Sequence, residues 1–86
     1  MNEKLKELLN LLNKNGFEPR HQDTINTDLK YGRTRIEIFY TNQFTIVWHP
    51  EENKLQLETT FSNQTITEKY MKELNWLHER VMFYNI

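Results

Sequence analysis

The side chains of this 86-residue chain with intrinsic acid–base or ligand chemistry are three histidines, ten glutamates and two aspartates, with no cysteine. Without cysteine there is no disulfide, no thiolate nucleophile and no cysteine-held zinc or iron–sulfur group. His21, His49 and His78 stand 28 and 29 residues apart, so none forms the H-x-x-x-H pair on which a helical metal site is built. His21-Gln22-Asp23 is the one local pairing of imidazole with carboxylate, and a solvated loop histidine accounts for it. The chain has no G-x-S-x-G elbow, P-loop or G-x-G-x-x-G turn, and its two glycines are too few to line a phosphate cradle. Among twelve carboxylates some pair always has glycosidase-like spacing, and none is singled out by its position. The expectation is no catalytic residue, no metal and no cofactor: a binding protein rather than an enzyme.

The elements that must position any surface follow from periodicity. Leu5, Leu8, Leu9 and Leu12 fall at i, i+3, i+4 and i+7, which predicts a helix over residues 3 to 14. Asn2 is placed to cap it, Gly16 to stop it in a left-handed conformation, and Phe17 to fold back on its last turn. Residues 18 to 32 hold Pro19, Asn26, Asp28 and Gly32 without a sustained period and read as a loop, with a short edge strand around Phe17 to Asp23. From Arg33 the period changes to two. Ile36, Ile38 and Tyr40, then Phe44, Ile46 and Trp48, then Leu55, Leu57, Thr59 and Phe61 form the inward sets of three strands. Keeping these sets on one face sets Tyr40 opposite Phe44 across Thr41 to Gln43, and Trp48 opposite Leu55 across Pro50 to Asn53, with Asn53 left-handed. Thr65-Ile66-Thr67-Glu68 reads as a capping box ahead of a second helix over about 66 to 83, with Ile66, Tyr70, Leu74, Leu77, Val81 and Tyr84 as its core stripe. The expected fold is α+β, one domain over residues 1–86, in the order α-β-β-β-α: a three-stranded antiparallel meander covered on one face by two helices.

That register gathers two surfaces. On the uncovered face Arg35 meets His49 and His49 meets Lys54, with Arg33 one repeat further and Phe39 and Val47 exposed beside them. Such a corner suits an anion, a nucleic acid or an acidic partner; Glu51, Glu52 and Glu58 are near enough to neutralise it. On the second helix Trp76 and Phe83 fall together on one flank, bordered by Lys69, Lys72, Glu79 and Arg80, which is the composition of an interaction hot spot. Burial of Trp76 against the first helix or the long loop is the competing reading, and a homodimer contact a third. Met71, His78 and Met82 on the other flank read as core margin.

Net charge is −1 with 27% charged, 37% hydrophobic and 13% aromatic residues, which fits neither a disordered chain nor a membrane one. Nor is it the basic excess of a typical nucleic-acid binder. Neither a signal-peptide core nor a run near the roughly 20 apolar residues of a membrane span is present, so a cytoplasmic location is expected. Ten Asn, seven Lys and six Ile beside no Ala point to AT-rich codons, hence a low-GC bacterium, its phages or its plasmids. Such elements encode small proteins that bind host proteins stoichiometrically, as anti-CRISPR inhibitors do, and a host protein is therefore the expected partner. In topology the α-β-β-β-α order resembles the double-stranded RNA-binding domain, which implies RNA as the alternative partner. Where that family has a lysine-rich motif opening its second helix, this chain has Thr67-Glu68-Lys69-Tyr70-Met71-Lys72, and Thr41-Asn42-Gln43 replaces the family's glycine-proline-histidine loop.

Overall fold

Alternating side chains give three short strands, and burying one side of them requires helices on that side only. The computed structural model, which describes residues 2–60 and 66–85, has this architecture with one more helix than the periodicity shows. The order is α1 (Glu3–Lys14), α2 (Gln22–Lys30), β1 (Ile36–Tyr40), β2 (Phe44–His49), β3 (Lys54–Thr59) and α3 (Glu68–Tyr84). The strands form an antiparallel sheet in the order β1-β2-β3, so β1 and β3 are its edges. Ile36, Ile38, Phe44, Ile46 and Trp48 from the sheet, the four leucines of α1, Ile25 of α2, and Tyr70, Leu77 and Val81 of α3 share one buried core.

α1 starts and stops as its end residues require. The Asn2 side chain accepts the Leu5 N–H at 2.8 Å. At the other end Gly16 takes φ +86°, a conformation that favours glycine, which lets Phe17 N–H reach Leu12 O at 3.0 Å and Gly16 N–H reach Asn13 O at 3.2 Å. The second hairpin also has the expected register, Trp48 with Leu55 and His49 with Lys54, and Asn53 adopts φ +52°. The Asn53 side-chain oxygen Oδ1 then accepts from both Asn2 Nδ2 at 2.7 Å and Trp48 Nε1 at 3.3 Å, tying the start of α1 to the end of β2.

Four expectations are corrected. The stretch read as a loop contains α2, a nine-residue helix whose apolar residues are only Ile25 and Leu29. With two apolar positions and a run of Asp, Thr and Asn, its helicity depends on docking: Ile25 is fully buried, and Asp28 pairs with Arg20 at 3.0 Å. Around Phe17 to Asp23 there is no edge strand; a single backbone bond, Arg20 N–H to Ile38 O at 2.9 Å, joins that segment to β1. α3 begins two residues later than expected, capped by Thr67, whose hydroxyl accepts the Tyr70 N–H at 3.1 Å, so Ile66 lies outside the helix and exposed. The expected capping residue Thr65 and the expected inward Phe61 lie outside the described residues.

The fourth correction concerns register. Ile36 faces Trp48 and Glu37 faces Val47 as expected, but Phe39 faces Ile46 and Tyr40 faces Thr45. A β-bulge at Ile38 inserts one extra residue into β1, so Ile38 and Phe39 both turn inward and Tyr40 turns out. Phe39 is 1% exposed and Tyr40 60%. The turn shortens accordingly: Thr41 N–H bonds Phe44 O at 2.7 Å, and the Thr41 hydroxyl accepts the Phe44 N–H at 3.0 Å. Phe39→Ala is expected to destabilise the fold by about 3–5 kcal/mol, and Tyr40→Ala by less than about 0.5 kcal/mol, in urea unfolding. The reverse ranking would place Tyr40 in the core and remove the bulge.

Candidate functional site

Of the basic corner expected on the uncovered sheet face, the structure assembles only part. His49 and Lys54 are cross-strand partners, and a His49 ring nitrogen lies 3.1 Å from Gln56 Oε1. Arg33 is exposed just ahead of β1. Arg35 is exposed as well, but its guanidinium is held by Glu58 and, at 3.7 Å, by Glu37. Arg35 lies level with His49 and Glu58 faces Thr45, so the Arg35–Glu58 pair crosses the middle strand diagonally. Val47 stands beneath that crossing and is 0% exposed, although it faces away from the main core. Phe39, the expected stacking aromatic, is inside. Arg35 is thus balanced by Glu37 and Glu58, and a guanidinium so engaged exerts little long-range attraction on an anion.

On α3 the expected patch is also divided. Trp76 is half-buried: its ring stacks on Phe17 with centroids 5.3 Å apart, and Phe17 in turn meets the edge of Phe39 at 5.5 Å. The Arg80 guanidinium lies 5.5 Å from the Trp76 ring centroid, a cation–π geometry, and Arg80 Nη2 is 3.3 Å from Glu79. Trp76 therefore packs against the segment after α1, with the Arg80 guanidinium beside its ring. Lys72 pairs with Glu68 one turn back at 3.2 Å. Phe83 remains 64% exposed, touching the edge of Tyr84 at 5.0 Å.

The opposite flank overturns the core-margin expectation, for Met71, His78 and Met82 are all exposed. They lie too far round the helix from Tyr70, Leu77 and Val81 to reach the sheet, a separation the helical period itself implies. Near them, Asn85 at the end of α3 makes two hydrogen bonds to β3: Leu55 N–H to Asn85 Oδ1 at 2.7 Å and Asn85 Nδ2 to Leu55 O at 2.8 Å. Nothing in the linear sequence marks this contact.

Two open grooves of about 380 and 550 Å³ run either side of Glu18-Pro19-Arg20. One is lined by Asn10, Asn13 and His21, the other by Phe17, Tyr40 and Glu73. Arg20 borders both, but its Nη1 is engaged by Asp28 and, at 2.8 Å, by Glu37 O. Among the described residues no group of three or more His, Asp or Glu side chains is arranged to hold a metal ion, and no helix is long and apolar enough to cross a membrane. The chain matches no protein-family model, no curated protein and no solved structure.

Two measurements test these electrostatics. A double-mutant cycle on Arg35 and Glu58 is expected to give a coupling of at most about 1 kcal/mol that shrinks with added salt, because both side chains are about half exposed. Tyr84 has its pKa raised above 10.0 by burial, then by the Glu7 carboxylate, against a lowering by Arg80. The neutral phenol is thus favoured by folding, and its contribution is complete below the unfolded pKa and lost as pH rises through the folded one. Stability should fall more steeply above about pH 10 in the wild type than in Tyr84→Phe.

Proposed function

We propose that this is a small non-catalytic protein that acts by stoichiometric binding to another protein through the Phe83 flank of α3. The observation that carries the reading is Phe83 itself, an aromatic side chain 64% exposed on a helix, with Arg80 over Trp76 on one side and Lys72 further along. An exposed aromatic with a long cationic side chain, Arg80, one turn back is the anchor-and-rim composition of protein interfaces. Trp76, two turns back and stacked on Phe17, is half-buried, so the reading places the contact on Phe83. The Asn-, Lys- and Ile-rich composition without alanine supports an origin in a low-GC bacterium, its phages or its plasmids. An inhibitor of a host system, anti-CRISPR-like and cytoplasmic, is the form this reading takes.

RNA binding is the alternative that the same experiment separates. Tagged protein is used to capture partners from nuclease-treated and untreated host lysate, and affinity for the recovered partner is then measured. Under the protein-binding reading a partner survives nuclease, binds one to one, and loses about 30-fold in affinity with Phe83→Ala while stability changes by less than about 0.5 kcal/mol. Recovery of nucleic acid alone, weakened by Arg33→Glu or Lys54→Glu and untouched by Phe83→Ala, would replace this reading with the RNA one.

A further inference from the structure

β3 is an edge strand, and its outward hydrogen-bonding groups belong to alternate residues. Both the N–H and the C=O of Leu55 bond Asn85. The β2–β3 register is unbroken, so Leu57 and Thr59 point their main-chain groups the same way, away from β2. Among the described residues no hydrogen bond reaches those groups. The other edge is treated differently: Arg20 covers β1 with its main-chain N–H on Ile38 O and its guanidinium on Glu37 O. Among the described residues the β3 edge is therefore guarded at one position, by one carboxamide whose donor and acceptor reproduce a neighbouring strand's peptide group.

The helix beside that edge presents apolar surface on the same side. Asn85, Met82, His78 and Met71 lie along one flank of α3, and Asn85 places that flank toward the β3 edge. Met71 is 42% exposed and Met82 57%. A two-fold axis perpendicular to the sheet, set beside Leu57 midway between the two strands, would pair β3 antiparallel with its copy and carry α3 of each copy alongside the other. Met82, about one turn before Asn85, would then stand near the axis against its own copy. Gln56 would face Glu58 across the new strand pair, with no like charges directly opposed.

We propose that Asn85 is a latch on the free edge of β3: its carboxamide occupies the positions at which β3 of a second copy of this chain would pair, and so holds the protein monomeric. The self-complementary partner is favoured because one rotation joins open edge to open edge and methionine flank to methionine flank. The Phe83 flank points elsewhere on α3, so this surface is separate from the one proposed for partner binding.

The test is the molar mass of the purified full chain across a concentration series, by sedimentation or light scattering, with circular dichroism to confirm folding. The wild type is expected to be monomeric, and Asn85→Ala to form a dimer at least about tenfold tighter, the effect of freeing two hydrogen-bonding groups. Adding Met82→Lys to Asn85→Ala is expected to restore the monomer. A folded Asn85→Ala protein that stays monomeric overturns the proposal. So does a wild type as dimeric as the variant, or a dimer indifferent to Met82→Lys. Should Asn85→Ala fail to fold, Asn85→Asp, which keeps the acceptor for Leu55 N–H and loses the donor to Leu55 O, is read by the same outcomes. Phe83→Ala leaves all these masses unchanged, so failure of the partner-binding reading and failure of the latch are distinguishable.

Discussion

One extra residue in β1 governs most of what is distinctive here. The bulge at Ile38 turns Phe39 into the core, where its edge meets Phe17; Phe17 in turn stacks on Trp76, and Arg80 lies over the indole. Strand, post-helix segment and α3 are thereby joined through three aromatic rings. Such contacts contribute beyond the area they bury, because edge-to-face and offset-stacked rings match the charge distribution of the π-system. The bulge also leaves Ile38 O directed outward, where Arg20 N–H takes it. From there Arg20 reaches Asp28, and so helps hold α2, whose own sequence supplies little helical preference.

The sheet is buried on one face and open on the other, and the two faces solve different problems. Packing on the helix side is apolar, with no polar or charged residue buried among the described ones. On the open side the middle strand would expose Val47, and a polar layer closes over it as Arg35 reaches across to Glu58. This pair adds little free energy, but it spends the cation that an anion site would require. The charge pattern of that face is thus better understood as cover for a short sheet than as a binding surface.

Three of the six large apolar side chains left exposed among the described residues, Met71, Met82 and Phe83, lie on α3. A helix of 17 residues lying over a three-stranded sheet can bury only about a third of its circumference, and this one carries apolar side chains beyond that stripe on both sides. Phe83 lies on one flank, Met71 and Met82 on the other. They differ in their surroundings: Phe83 has Arg80 one turn back, whereas the methionines adjoin a strand edge. That difference is why a partner of different structure is proposed for the first and a copy of the same chain for the second.

The legible parts of this protein are those in which a local pattern and its physical cause coincide. Four leucines at helical spacing with Asn2 before them and Gly16 after them dictate α1, because caps and stop satisfy groups within a few residues of themselves. Strand alternation and the left-handed Asn53 likewise determine β2, β3 and the turn between them. The rest depended on contacts distant in sequence. A bulge has no compositional mark in Ile38-Phe39-Tyr40, since three apolar residues in a row satisfy either register; the choice falls to which ring fits against Phe17. α2 is invisible without the core that receives Ile25 and the guanidinium that meets Asp28. Both candidate surfaces were chosen from residue type and spacing, which determine which side chains share a face. Only tertiary packing decides which of them see water, because exposure depends on what the rest of the chain places above them.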